Sequence, residues 1–539
     1  MPQLSLVTLG FPSPKPIDLM SSETSSLLQS SSAMDAVNLP PQEVIPIRQE
    51  LVHLVSMSVQ LSLRQMVRQA MTITDTAFQG HIGTKQLAGV ALAGMWMGVP
   101  SAFIQYAIQA ISTLCSQAYG AGNNQLVGIW LQTAIVFAVA GAIPVMIWYM
   151  FVGHMIGLTM DDPDTVEYGA QFARVMALGL IPQYIYGALT TYFATQGVIM
   201  PATFCSCLTM VLNVVFNQVF IYGAFGWPGL GFIGSPLATV CSTILQLVLF
   251  VMYTMVIKGY HKPYWGGWTW DCVKKERVHV FLALAIPMGA SSVVDWASAT
   301  VAGAFSGYLG PNIAAAQAVI YGLFSVANSC LSGFSGATQI RMSRYLGEGS
   351  AAGAKRVLFI GTSIVVATSV VLVVVMVPCR RTFFGIWSSD VVIVEMCADA
   401  VVALIACLVV ANVRFLLTAV MNALSKSDLN LLANNIASWC VYVPLSYVLP
   451  ITLDWGVDGF WWADSLGELL KALILLWGTS RVDWCVAAME AQEAAECTEE
   501  DEFNAMKNEA LVNPTAFKSP ASNLLTPRRT PTTPRLSFV

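Results

Sequence analysis

Apolar stretches follow one another with short polar breaks from about Met57 to about Trp477. Each runs ~20–30 residues, the length a helix needs to cross a bilayer at ~1.5 Å per residue. The breaks place spans near 56–80, 86–118, 126–157, 168–195, 200–223, 232–257, 278–307, 312–342, 354–378, 397–424, 429–450 and 456–478. That pattern predicts an all-α polytopic membrane protein with twelve transmembrane helices. The first span is the least apolar, carrying Arg64, Arg68 and Asp75, and its place rests on an internal repeat. Gly80-His81-Ile82-Gly83 is matched 227 residues later by Gly307-Tyr308-Leu309-Gly310. The same step carries Gly120-Ala121-Gly122 onto Gly347-Glu348-Gly349. A step of 225 carries Gly231-Phe232-Ile233-Gly234 onto Gly456-Val457-Asp458-Gly459. One glycine match means little in membrane helices, but three at nearly one offset point to two halves of six spans. An even count sends both halves in from the same side. A pseudo-two-fold axis along the membrane normal then relates two six-helix lobes, a transporter architecture with its path between them.

The segments outside the spans divide the chain further. Residues 1–50 are polar and broken by proline, without the basic start and apolar run of a cleaved signal. They are expected to be a disordered cytosolic tail. The N-lobe is expected over 51–260, a cytosolic inter-lobe loop over 261–277, the C-lobe over 278–480, and a second disordered cytosolic tail over 481–539. Lysine and arginine set the orientation. Lys258, Lys262, Lys274, Lys275 and Arg277 gather between spans six and seven, and Arg341, Arg344, Lys355 and Arg356 between eight and nine. That bias puts both termini in the cytosol.

Composition fits. Apolar residues make up 56% of 539 and charged residues 11%, too few charges for a soluble surface or a nucleic-acid partner. The twelve cysteines show no CxxC pairing, so neither a zinc site nor a disulfide framework is expected. The five histidines lack metal-binding spacing, no P-loop is present and no nucleophile elbow occurs. Neither a cofactor nor an enzymatic activity is expected.

Charges deep in spans are costly and mark function by default. Asp295 stands in span seven, eight residues after Pro287, with Trp296 beside it. Asp75 stands near the end of span one. Such carboxylates can be protonated when buried and ionised when wetted. Against this stands the plainer role of a buried carboxylate that caps backbone. Asn213 and Asn217, four apart in span five, share one helix face. Gln196 ends span four. These amides line a path or simply join helices. Asn412 and Arg414 in span ten are two apart and face different ways. Span twelve carries Asp464, Glu468 and Lys471; the last two, three apart, are expected chiefly to neutralise each other.

The run Thr113-Leu114-Cys115-Ser116-Gln117-Ala118-Tyr119-Gly120-Ala121-Gly122-Asn123, followed by Gly128 and Gln132, resembles a signature of the multidrug and toxin extrusion (MATE) transporters. So do Gly80-His81-Ile82-Gly83 with Leu87-Ala88, and Pro228-Gly229-Leu230-Gly231 with Gly234 and Ala238-Thr239. The likeness is collinear from about residue 50 to Asp483-Trp484. It implies twelve helices in two lobes and export of organic cations or amphipathic metabolites, driven by protons or sodium. It implies that Asp295 takes the place of a span-seven glutamate, and Asp75 that of a first-helix aspartate. Asn213 matches a fifth-helix asparagine. Asn217 stands where some members have a second aspartate, and Asn412 where many carry an acid. The tenth-helix arginine of the family is replaced here by Met421-Asn422. Having fewer carboxylates argues for protons over sodium, because hard cations want charged oxygens.

The expected function is a proton-coupled antiporter for small organic substrates. Sodium coupling and a lipid-linked sugar flippase of the same superfamily are the rivals. Ion coupling is assigned to Asp295 and Asp75, and cavity lining to Asn213, Asn217, Gln196, Trp296 and Asn412. The plasma membrane or a vacuolar or endosomal membrane is the expected address. Glu23, Leu27 and Leu28 have the spacing of an acidic-dileucine signal for sorting adaptors. Ser519-Pro520, Thr526-Pro527, Thr530-Pro531 and Thr533-Pro534 are proline-directed phosphorylation candidates.

Overall fold

The computed structural model describes residues 46–495, apart from 225 and 389. The dileucine segment and the Ser/Thr-Pro pairs lie outside the described residues. Twelve helical rods follow in order: α1 Ile47–Ile82, α2 Thr84–Gly120, α3 Asn124–Gly157, α4 Pro163–Ala177 with Leu180–Thr195, α5 Met200–Tyr222 and α6 Gly231–Ile257. The second half repeats them as α7 Lys275–Leu309, α8 Pro311–Gly347, α9 Ala351–Trp387, α10 Val391–Asp399 with Val401–Ala423, α11 Ser427–Thr452 and α12 Gly456–Ser480. No strand occurs among the described residues.

Eight rods are long and apolar enough to cross a membrane on length and composition alone, and α4 joins them as a pair bent by 49°. The others have physical reasons to fall short. α1 carries Arg64, Arg68 and Asp75 and pairs its Glu50 with Arg341 of the other lobe, while Glu468 and Lys471 of α12 pair inside the C-lobe. α11 is broken into α and wide-turn segments around Pro444 and Pro450, each of which removes a backbone donor. A further helix, α13 (Trp484–Ala495), turns away from α12 by 85°. It lies in the region expected to be tail.

The repeat is visible in how the chain turns. Asn123 caps α3 by accepting from the Leu126 N–H, and Ser350, 227 residues on, caps α9 from the Gly353 N–H. Asp162 caps α4 from the Thr165 N–H, and Asp390 does the same for α10 from Val392. The Thr165 hydroxyl also donates to Asp162, holding that loop carboxyl below its ordinary range. Gly122 and Gly349 have φ of 78° and 73°, and Gly231 and Gly456 have 59° and 55°. Only glycine takes that region without strain, so the same turns recur and leave glycines in register.

The halves meet by exchange. α1 packs on α8 and, symmetrically, α7 on α2. Where α2 and α8 end, a Cβ on Gly120 would strike the Arg344 carbonyl, and one on Gly347 would strike the Gln117 carbonyl. Residues 117 and 120 map onto 344 and 347 by the repeat step, so the contact is self-complementary. Gln117 Nε2 also donates to the Ala423 carbonyl at 3.1 Å, and Thr113 Oγ1 to that of Asn422 at 3.0 Å. Arg341 of α8 bridges to buried Glu50 of α1 at 2.5 Å. These ties gather at the end where α2, α8 and α10 finish.

Candidate functional site

In the N-lobe, α1, α5 and α6 converge on Asp75. Asn217 Nδ2 donates to Asp75 Oδ1 at 2.8 Å, and Thr239 Oγ1 donates to Oδ2 at 3.0 Å. Asn217 also donates to the Oδ1 of Asn213 at 3.1 Å. Asp75, Asn213 and Asn217 are all buried. No cation lies within ion-pair distance of Asp75 among the described residues. Two polar atoms here have no partner: Asn213 Nδ2 and Asn217 Oδ1. A buried amide normally fills its bonds, so one donor on Asn213 and one acceptor on Asn217 are left with unused bonding capacity beside Asp75.

In the C-lobe, the repeat-related helices α7, α11 and α12 converge on Asp295. Asn434 Nδ2 donates to Asp295 Oδ2 at 3.0 Å, and Lys471 Nζ lies 2.8 Å from Oδ1. Lys471 also sits 3.1 Å from Glu468 Oε1, whose other oxygen pairs with Arg414 Nε at 2.7 Å. Asp464 accepts from the Cys407 thiol at 3.2 Å. The two aspartates occupy matching helices at different depths. Asp75 precedes Gly80 by five residues and Asp295 precedes Gly307 by twelve, which puts Asp295 about two turns deeper. Asp295 keeps 35% of its side-chain surface exposed, against 6% for Lys471 and 7% for Glu468. It is the accessible end of the chain of charges. Trp296 beside it is partly exposed, and its ring fills the space left by Gly98 of α2, across the lobe boundary.

The remaining expected residues lie elsewhere. Asn412 is buried against α9, its amide donating to the Val365 carbonyl, Thr368 and Ser369. Arg414, two residues on, faces α12. Gln196 ends α4 with both side-chain polar atoms buried and unpartnered. Glu468 and Lys471 do pair, but the pair continues to Asp295 and Arg414 rather than closing on itself. Asn434, which donates to Asp295, is the neighbour that the sequence did not point to. Its signal was an amide in span eleven, the repeat partner of the span that carries Asn213.

The MatE family model matches two segments, 61–219 and 287–448, well over half of the chain and one per lobe. This chain belongs to the MATE family. A multidrug and toxin extrusion protein 1 from Homo sapiens is 25% identical over 446 residues, covering 83% of this chain and 77% of that protein. An uncharacterized transporter of Schizosaccharomyces pombe is 25% identical over 440 residues, covering 81% and 80%. The crystal structure of the eukaryotic MATE transporter AtDTX14 superposes with a TM-score of 0.76 at 20% identity, over 83% of this chain and 99% of that one. The protein is therefore an integral membrane transporter, not an enzyme, with the twelve-helix two-lobe fold.

Proposed function

We propose that this MATE-family protein is a proton-coupled antiporter that exports organic cations or amphipathic metabolites, with Asp295 as its principal coupling carboxylate. The observation that carries the reading is the geometry at Asp295. It is a membrane-embedded carboxylate, partly exposed, beside an aromatic ring that reaches the other lobe. A proton and an organic cation would compete for that carboxylate, so binding of one drives release of the other. Asp75 with Asn213, Asn217 and Thr239 serves as an auxiliary site. The sugar-flippase reading is disfavoured because the two cations beside Asp295 and Glu468 in the C-lobe, Arg414 and Lys471, are already held by carboxylates.

One observation favours a second reading, sodium coupling. The unpartnered Asn217 Oδ1 beside Asp75 is the kind of neutral oxygen that completes a hard-cation site. Purified protein in liposomes, screened against organic cations under an imposed proton or sodium gradient, separates the two. Uptake driven by the pH gradient without sodium supports protons. Uptake that needs sodium overturns them. Cytosolic termini, and an address at the plasma or a vacuolar membrane, belong to the same proposal.

A further inference from the structure

A transporter that binds external cations on Asp295 should leave that carboxylate free. Instead a buried ammonium from the chain itself stands on it. Lys471 Nζ bridges Asp295 Oδ1 at 2.8 Å and Glu468 Oε1 at 3.1 Å at once. Glu468 in turn is gripped by Arg414 at 2.7 Å. The four charges balance: two carboxylates, two cations. They are not equivalent. If Asp295 were neutralised, Lys471 would keep Glu468 without moving. If Lys471 withdrew, Asp295 would keep Asn434, and Glu468 would keep Arg414. Neither step strands a buried charge, the outcome that makes breaking most buried ion pairs costly. Among the described residues, no other cation stands within ion-pair distance of these carboxylates. α10 contributes Cys407, α11 contributes Asn434 and the Tyr442 phenol, α8 contributes the Tyr321 phenol, and α12 contributes Asp464.

We propose that Lys471 is a tethered competitor for the cation site on Asp295, held there when no substrate is bound and parked on Glu468 when one is. Lys471 is thus a specificity-determining residue, and the inference rests on the reading of Asp295 as the exchange site. When a proton arrives, Asp295 becomes a neutral acid and Lys471 stays with Glu468. The quartet then gains one positive charge, which repels an organic cation from the pocket. When the proton leaves, Lys471 re-covers Asp295 and the next substrate must displace it. The tether prevents Asp295 from ever standing bare in the membrane, and it sets a threshold that a weakly attracted cation does not cross.

The test uses the full-length protein with Lys471→Gln, Lys471→Arg, and Lys471→Gln combined with Asp295→Asn. Tetraethylammonium is the probe. Lys471→Gln should bind it about tenfold more tightly and turn over more slowly, so that KM and kcat fall together. Lys471→Arg should stay near wild type, and the double variant should lose the gain. A residue that merely held the fold would weaken binding instead. A second arm needs no substrate. Dicyclohexylcarbodiimide labels accessible membrane carboxyls, and its adduct on Asp295 is counted by mass spectrometry. Labelling should rise several-fold in Lys471→Gln and not in Lys471→Arg. Unchanged or weaker tetraethylammonium binding in a variant that also shows unchanged Asp295 labelling would overturn the proposal. If no variant binds the probe, the organic-cation reading fails, and labelling alone still decides the role of Lys471.

Discussion

Glu468 accepts from two cations at once, Arg414 on one oxygen and Lys471 on the other. Its loss differs from the loss of Lys471, because Arg414 would be left buried over the Phe415 ring with no other carboxylate within ion-pair distance among the described residues. Glu468→Gln should cost roughly 3–5 kcal/mol, the usual penalty of an uncompensated buried charge. Thermal unfolding in detergent would show it. Glu468→Leu with Arg414→Leu should cost less than either change alone, since removing both partners strands nothing. The auxiliary site gives the opposite contrast. Asp75→Asn replaces a carboxylate that already sits among amides and a hydroxyl, and should impair transport less than Asp295→Asn. Rates measured side by side in one liposome preparation test the ranking.

At the scale of elements, two features tie the lobes at one end. The first is the crossing of α2 and α8, where Gly120 and Gly347 leave each backbone against the other. A side chain at either position meets a carbonyl, which does not yield. Gly120→Val and Gly347→Val should therefore push the helix ends apart by similar amounts, since the contact is symmetric. Spin labels on the two lobes near that end would read the longer distance. An unchanged distance would refute the close contact. The second tie is α13. Ala487, Ala488 and Ala491 lie in the C-lobe cluster with Met342, Leu346 and Met421. Its last residue, Ala495, packs in the N-lobe cluster and accepts from Asn123 Nδ2 at 2.9 Å. A chain ending at Arg481 should open that end more readily, seen as faster cysteine labelling there.

These elements also show what the sequence could reveal. The turn glycines were legible because a positive φ is a local demand that only glycine meets cheaply, and the demand recurs once per lobe. Most of the spans were legible from apolar length and the first from the repeat, and the shared face of Asn213 and Asn217 was legible from their spacing. The charge chain was only half legible. Lys471 and Glu468 are three apart on one helix, so their pairing shows in the sequence. Asp295 and Asn434 reach them from α7 and α11, and no spacing rule connects positions that far apart. The tethering role of Lys471 could not be read, because it depends on which of two carboxylates stands within 3 Å of one ammonium. α13 was missed for a related reason. Its buried face is alanine, too small to give an apolar stripe, and its packing partners in the two lobes are remote in sequence.

For the whole molecule, the central claim is that one carboxylate exchanges a proton for an organic substrate between two related lobes. The address decides what that exchange accomplishes. At the cell surface it would clear the cytosol, and on an acidic vacuole it would load the compartment, since protons return to the cytosol in both cases. Leu27→Ala with Leu28→Ala should move a tagged protein to the surface if the N-terminal segment is a sorting signal; an unchanged distribution would remove that part of the account. The most direct test of exchange itself is transport in proteoliposomes under an imposed pH gradient, comparing wild type with Asp295→Asn. Wild type should move an organic cation such as tetraethylammonium against the proton gradient in sodium-free buffer, while the folded variant moves none beyond the protein-free leak. Wild-type rates from the variant, or a wild type that works only with sodium, would contradict the account.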